Sequence, residues 1–355
     1  MIGGVERFIE AQIDSLGTLG LDISIFFEDF VETRMMHIPL AVEVLTKNEV
    51  LEGSFDNIVI HKFEDIELVD RLSCSSKAIV VVHDHEFYCK RGHKFFPNNT
   101  NCNQPFNSTL CSVCSGFGLK KKEDFPYLKF EKDNTAEKLG TIKKIDRFVV
   151  ISNHMKENLI LNGIDGSVIS IARPFVPRQA EIASLPRETQ GLYVGQLIKG
   201  KGILKFSRKY QGRRWKLSIV GTGKDMANLK KLNEKDRNIE ILGFQNPAGF
   251  YKESNFVVFT STWSEPFGLV GIEAMSFGLP VVAFNVGGVS DWLKHGENGF
   301  LVDLGDYESF FYFCDKLSSD EKLAKKLGIN AKNFVMENFA FENYISDWEN
   351  ILGCK

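Results

Sequence analysis

The chain has 355 residues, with 43 Lys and Arg against 46 Asp and Glu for a formal net charge of −3, and 43% of it is apolar. A chain this apolar and evenly charged is neither disordered nor a nucleic-acid binder working by bulk charge, and no run approaches the 18 apolar residues needed to span a membrane. Seven cysteines in this length do not make a disulfide scaffold, the first residues carry no secretory signal pattern, and two domains are expected, in a soluble cytoplasmic protein.

In chain order, Val5, Phe8, Ile9, Ile13 and Leu16 recur at helical spacing. Leu21–Glu28, Asn57–Lys62, Ala78–His83, Arg147–Ser152 and Val168–Ile171 are short, continuous runs rich in Ile and Val, which predict strands buried on both faces of a parallel sheet. Met155, Leu159, Ile160 and Ile164 suggest a helix between the last two. Residues 85–126 break this rhythm, with no convincing strand or helix. This insert holds Cys89, Cys102, Cys111 and Cys114, spaced C-x12-C-x8-C-x2-C, and the run Lys120–Lys122. One C-x2-C with two outlying cysteines is compatible with a structural zinc, Fe–S ligation or two disulfides, and also with four independent buried thiols. A staple is favoured, because so long a loop needs a constraint.

Pro174–Arg187 carries three prolines and no periodicity, which marks a linker. Beyond it the strand candidates are Leu192–Leu197, Leu217–Gly221, Glu240–Gly243, Phe256–Ser261, Pro280–Phe284 and Gly299–Asp303, each pair separated by a helical segment. Repeated βα units predict a doubly wound parallel sheet. The expected organisation is therefore α/β. An N-terminal Rossmann-like domain spans 1–175, a second domain spans 188–335, and a C-terminal helix over 336–355 crosses back to the first. Only Met1 and Ile2 precede the glycines Gly3 and Gly4, so the first sheet is expected to lack an opening strand, with an incomplete N-terminus as the favoured explanation.

The run from Asn255 to Gly288 holds most of the chemistry. A strand, a loop, a helix over about 268–277, a stop at Gly278 and a strand from Pro280 follow one another. The loop thus lies at the carboxyl end of a parallel strand, where open α/β sheets bind ligands, and the next helix aims free amides at an anion there. Gly268 lets that anion approach, and phosphate is the natural candidate. Glu265 and Glu273 bracket the turn eight positions apart, and a part-buried carboxylate such as Glu273 can accept both hydrogen bonds of vicinal ribose hydroxyls.

This stretch resembles the Glu-x7-Glu motif of the family 4 retaining glycosyltransferases. Gly195–Gly202 resembles their phosphate-binding loop, Ile219–Gly223 and Ile241–Phe244 resemble the strands lining the nucleotide pocket, and Gly299–Val302 resembles the closing strand. In the first half, Gly3–Arg7, His83–Asp84 and Val150–Ser152 match the family's glycine loop, active-site histidine and V-x-S strand.

The resemblance implies a GT-B fold, two Rossmann-like domains facing across a cleft, and transfer of a sugar from a nucleotide-diphospho-sugar to a glycan, lipid-linked or other hydroxyl acceptor. It implies no catalytic metal and no nucleic-acid partner, and it allows peripheral association with a membrane. His83 and Glu265 would be catalytic. Gly4, Gln196, Lys201, Gly243, Phe244, Phe267, Gly268, Leu269, Val270 and Glu273 would bind the donor, with Glu273 on the ribose and Lys201 on the diphosphate. Gln196 stands where the family usually has Arg, so neutralising the diphosphate falls more heavily on Lys201, with Lys199 beside it. The competing readings are a non-catalytic or metal-stapled sugar- or nucleotide-binding module and a sugar phosphorylase. The phosphorylase is disfavoured because no lysine motif for pyridoxal phosphate is found.

Overall fold

The computed structural model describes residues 4–28, 42–74, 77–96, 98, 100–115, 118–122, 125–129, 134–176, 190–210, 212–234 and 238–353. The chain divides into two compact units. The first comprises Met1–Gly92, Gln104–Pro174 and Glu342–Lys355, and the second comprises His93–Asn103 and Phe175–Phe341. The eleven-residue segment His93–Asn103 therefore departs from the boundary expected from sequence, because it groups with the second unit. Most of the expected linker, residues 177–187, and Cys354 lie outside the described residues.

In the first unit, α1 spans Gly4–Gly17, β1 Ser24–Ile25, β2 Glu43–Val44, α2 Lys47–Glu52, β3 Ile58–Ile60, α3 Ile66–Ser73 and β4 Ala78–Val82. They are followed by α4 Ser108–Ser115, β5 Gly118–Lys122, β6 Phe125–Lys129, α5 Thr135–Ile142, β7 Phe148–Val150, α6 Asn153–Leu161 and β8 Ile169–Ile171. Four strands form a parallel sheet in the order β3-β4-β7-β8. All five residues of β4 are buried, as its unbroken Ala-Ile-Val-Val-Val run requires for a strand covered on both faces. Leu68, Val69 and Leu72 of α3 and Leu139 and Ile142 of α5 join its core. Side-chain caps set two helix starts: Asp65 accepts from the Leu68 amide at 3.0 Å, and Ser152 accepts from that of Met155 at 3.1 Å.

Two expectations are corrected here. Leu21–Glu28 does not form a buried strand. Among the described residues only Ser24–Ile25 of this run pairs, with Glu43–Val44; no residue of the run is buried, and its polar positions Asp22, Ser24 and Glu28 are exposed. The region 85–126 is not devoid of structure, for it contains α4 and most of an antiparallel hairpin of β5 and β6. No residue of α4 is buried, and Leu110 and Val113 are 67% and 66% exposed, so no apolar periodicity was there to be read.

The second unit continues with β9 Gln190–Val194, α7 Ile203–Tyr210, β10 Lys216–Val220, α8 Met226–Asn233, β11 Ile239–Gly243, α9 Ala248–Lys252, β12 Phe256–Phe259 and α10 Leu269–Ser276. Then come β13 Val281–Phe284, α11 Val289–Trp292, β14 Gly299–Val302, α12 Tyr307–Ser319 and α13 Glu321–Asn338. The strand order β11-β10-β9-β12-β13-β14 is parallel throughout. From β9 the chain winds outward through β10 and β11, then returns to the other side of β9 for β12, β13 and β14. The direction of winding reverses between β9 and β12, and such a reversal opens a crevice at the carboxyl ends of the two strands.

The last helix, α14 Phe341–Leu352, lies with the first unit from Glu342 onward. Asn57 Nδ2 donates to the Leu352 carbonyl at 3.4 Å, and Arg147 bonds both Asn57, at 2.8 Å, and the Ile351 carbonyl. Its C-terminal end is thereby tied to the residues that lead into β3 and β7.

Close packing in the second unit depends on small residues. At Gly328 of α13 a Cβ would sit 2.0 Å from the Gly278 carbonyl oxygen, whereas at Gly140 of α5 a Cβ would meet nothing within 4 Å. Gly328→Ala is expected to lower stability by about 1–3 kcal/mol through overpacking. Gly140→Ala is expected to raise it by about 0.4–1 kcal/mol by restricting the unfolded chain. Paired denaturant titrations check both signs.

Candidate active site

The switch point of the second unit is where the resemblance places its donor site. From β9, the turn Lys199–Lys201 leads into α7, and from β12 the loop 260–268 leads into α10. The two turns interlock through the backbone. Thr262 and Trp263 donate their amides to the Gly200 carbonyl at 2.9 and 3.3 Å, and the Thr260 hydroxyl donates to the Lys201 carbonyl at 2.7 Å. Gly202, at φ +71°, permits the approach, since a Cβ there would lie 2.1 Å from the Thr260 carbonyl oxygen.

Glu265 is 3% exposed at the centre of this arrangement. Its Oε1 accepts from Lys201 Nζ at 2.6 Å, from Trp263 Nε1 at 2.5 Å and from the Ser261 hydroxyl. Lys201 Nζ also sits 4.9 Å from the centroid of the Trp263 ring. A buried carboxylate needs such donors, because removing its charge from water is costly unless it is paired and hydrogen-bonded. The backbone of Glu265 is clamped as well. Gly288 donates its amide to the Glu265 carbonyl at 2.8 Å, and Gly287, at φ +56°, would carry a Cβ only 2.1 Å from that oxygen.

The other residues expected at the donor site are spread over several elements. Phe267 is buried, and its carbonyl accepts from Trp292 Nε1 at 2.7 Å. Gly268 caps α10, so Leu269 and Val270 contribute first-turn amides at the carboxyl end of β12. Glu273 is half-buried one turn along, with Tyr251 Oη 3.4 Å from its Oε2, and burial together with Glu273 pushes the Tyr251 phenol far up. Gln196 has an exposed side chain, and its carbonyl accepts from Tyr193 Oη at 2.8 Å. Gly243 ends β11, and Phe244 beside it is 61% exposed. Gly4 opens α1 in the first unit.

His83, also in the first unit, follows β4 and is buried. Its Nε2 lies 2.7 Å from Nδ1 of His61, which follows β3, and the two rings stack at 5.0 Å and 17°. Burial, with Lys62 adding a positive charge nearby, holds His83 down at about 3, and burial lowers His61 as well. The next residues repeat the pairing, with Lys62 2.8 Å from Asp84 and 3.0 Å from Glu86. His61 was not singled out from sequence, though two predicted strands each carrying a His at or next to their carboxyl end were the available signal. Ser261 and Trp263 were also missed, although they lie in the polar run just before Glu265.

The expected four-cysteine site is not assembled. Among the described residues no three of His, Cys, Asp and Glu converge in a geometry that could hold a metal ion, and Cys89, Cys102, Cys111 and Cys114 are thiols. Cys102 groups with the second unit and the other three with the first. Among the described residues, no helix is long and apolar enough to cross a membrane.

Residues 179–334 match the model of the family described as glycosyl transferases group 1. An uncharacterized glycosyltransferase of Haemophilus influenzae is 34% identical over 199 residues, which cover 52% of this chain and 55% of that protein. One from Methanocaldococcus jannaschii is 30% identical over 333 residues, covering 85% and 86%. Several of the most similar relatives are thus spanned over only about half their length. Among solved structures, HepE of Anabaena in complex with UDP-glucose superposes with a TM-score of 0.70 at 17% identity, over 100% of this chain and 97% of that one. The architecture is GT-B.

Two outcomes are expected from this geometry. Lys201→Met and Glu265→Gln should couple, because the pair is buried on the carboxylate side, and a double-mutant cycle of unfolding free energies is expected to give about 1–3 kcal/mol of interaction. The second concerns acid. Below the usual 6.5 the unfolded chain takes up a proton that the native His83 ring refuses until about pH 3, so stability falls as pH drops through that window. Between pH 7 and 5 the wild type is expected to lose about 1–2 kcal/mol more than His83→Asn.

Proposed function

The chain belongs to the family of group 1 glycosyl transferases, and from that membership we propose that it moves a sugar from a nucleotide-diphospho-sugar to a hydroxyl acceptor with retention of anomeric configuration. The observation that carries this reading is the Lys201–Glu265 pair at the switch point, buried on its carboxylate side and one short loop from the amide-bearing start of α10. A diphosphate leaving group gains negative charge as its bond to the anomeric carbon breaks. A lysine and first-turn amides fixed at the carboxyl ends of β9 and β12 supply the matching positive field without reorganisation.

In this reading Lys201 neutralises the diphosphate and Glu273 accepts from the ribose hydroxyls, with Tyr251 beside it to hold its carboxylate in place. Glu265 meets the hydroxyls of the transferred sugar near the oxocarbenium charge. All three protein donors fall on its Oε1, so Oε2 has no protein donor among the described residues and is the oxygen assigned to the sugar. The acceptor hydroxyl attacks the anomeric carbon from the face the diphosphate leaves, and its proton passes to the departing phosphate oxygen. His83 of the first unit keeps its catalytic assignment in this reading. The nucleotide class is supported by the UDP-glucose complex of the Anabaena structure, which has the same fold.

The test is a panel of nucleotide sugars assayed by thermal shift and by donor consumption. A bound donor at 100 times its dissociation constant adds about 2.7 kcal/mol to stability. Glu265→Ala and Lys201→Ala are each expected to cut turnover by about 10²–10³-fold. Failure of every nucleotide and nucleotide sugar to raise the melting temperature would sink the reading. Binding without consumption would leave a binding module instead.

A further inference from the structure

Trp263 is assigned no part in the reading above, yet it touches both of its central charged groups. Its Nε1–H donates to Glu265 Oε1 at 2.5 Å, and its ring face lies 4.9 Å below the Lys201 ammonium. The ring is itself held from two sides. A Cβ at Gly200 would come within 2.5 Å of Trp263 Cε3, so only glycine leaves room for the indole against the Lys199–Lys201 turn. On another side the His93 imidazole meets it with ring centroids 5.4 Å apart, tilted by 33°. His93 belongs to the segment His93–Asn103, which groups with the second unit although it lies far upstream in sequence. That segment folds back on itself through the Phe95–Asn101 bridge and the Cys102 amide donating to the Lys94 carbonyl at 2.7 Å.

We propose that Trp263 is the positioning residue of the site: its N–H fixes the Glu265 carboxylate and its π-face fixes the Lys201 ammonium, in a pose set by Gly200 and His93. The proposal rests on the donor-binding reading for what Lys201 and Glu265 do, but not for how they are held. The indole replaces water as the environment of two charges. The N–H supplies one directional bond, and the ring offers a cation its negative face without competing for the carboxylate. Phe keeps the face and loses the donor, and aliphatic residues lose both. The two functions are therefore separable by substitution.

The experiment has a ligand-independent arm and a kinetic arm. The chain has four tryptophans, and Trp215, Trp292 and Trp348 are at most 1% exposed. In a ¹H–¹⁵N spectrum of indole-labelled full-length protein, the resonance lost in Trp263→Phe identifies Trp263. It is expected to shift markedly in Glu265→Gln and in Gly200→Ala, while the other three indoles stay in place. For donor consumption with UDP-glucose and UDP-N-acetylglucosamine as probes, Trp263→Phe should lower kcat about tenfold or more with KM changed less than about twofold. Trp263→Leu should show that loss and also raise KM about fivefold or more, because Lys201 loses its seat.

An indole resonance indifferent to Glu265→Gln overturns the proposal, and so does a Phe variant with wild-type kcat. Equal effects of Phe and Leu on kcat and KM also overturn it, since a merely structural tryptophan would act that way. If the resonance moves as expected but neither nucleotide sugar binds or turns over, the positioning role stands and the donor-binding reading falls.

Discussion

The site depends on one requirement: a carboxylate that is only 3% exposed must be met by donors that the fold supplies at fixed places. Glu265 finds a cation from the turn after β9, an indole N–H two residues upstream and a hydroxyl four residues upstream. Those donors come from two strand ends that are neighbours in the sheet but some sixty positions apart in the chain. The pairing is possible only because the winding of the sheet reverses between them. Local charge and global topology are thus one arrangement, and neither could be altered without the other.

The backbone around this pair is correspondingly crowded. The carbonyls of Gly200, Lys201, Thr260 and Glu265 are either bonded or pressed against glycines within a few residues of the charged side chains. Such a loop has few alternative poses, so the charged groups keep their orientation without the sheet having to contact them. In the first unit the same logic appears with neutral partners. His61 and His83 stack at the ends of adjacent strands, and burial holds both rings uncharged near neutrality, while the full charges of Lys62, Asp84 and Glu86 follow one step further out.

Much of this was legible in the amino-acid sequence, and the exceptions share a physical cause. The central strands of the second sheet announced themselves because β12 and β13 are apolar runs buried on both faces, and the Glu265 loop and the helix after it were marked by Gly268, Gly278 and Pro280. Features that depend on tertiary placement left no such trace. Helix α4 buries nothing, so it has no apolar stripe to read. The His61–His83 contact is a consequence of strand register, and the Trp263 bond depends on how a loop closes. At the cysteines the spacing was ambiguous, being equally that of a staple and of four independent thiols. A short apolar run misled at Leu21–Glu28, where Phe26 packs against the core only in part and the polar positions are exposed.

The division of the chain has a consequence for its synthesis. The first unit includes α14, and the second includes His93–Asn103, so each unit is completed by a piece of chain remote from its main body. A ribosome adding about 5–20 residues per second emits the stretch between residue 174 and residue 342 over roughly 10–30 s. During that interval the nascent first unit has its sheet but not the helix that bonds Asn57 and Arg147 beneath β3 and β7. The segment that will lie against Trp263 is by then already made, waiting for its partner. Order of emergence and order of assembly therefore run in opposite senses in the two units, and α14 is the piece that closes the first.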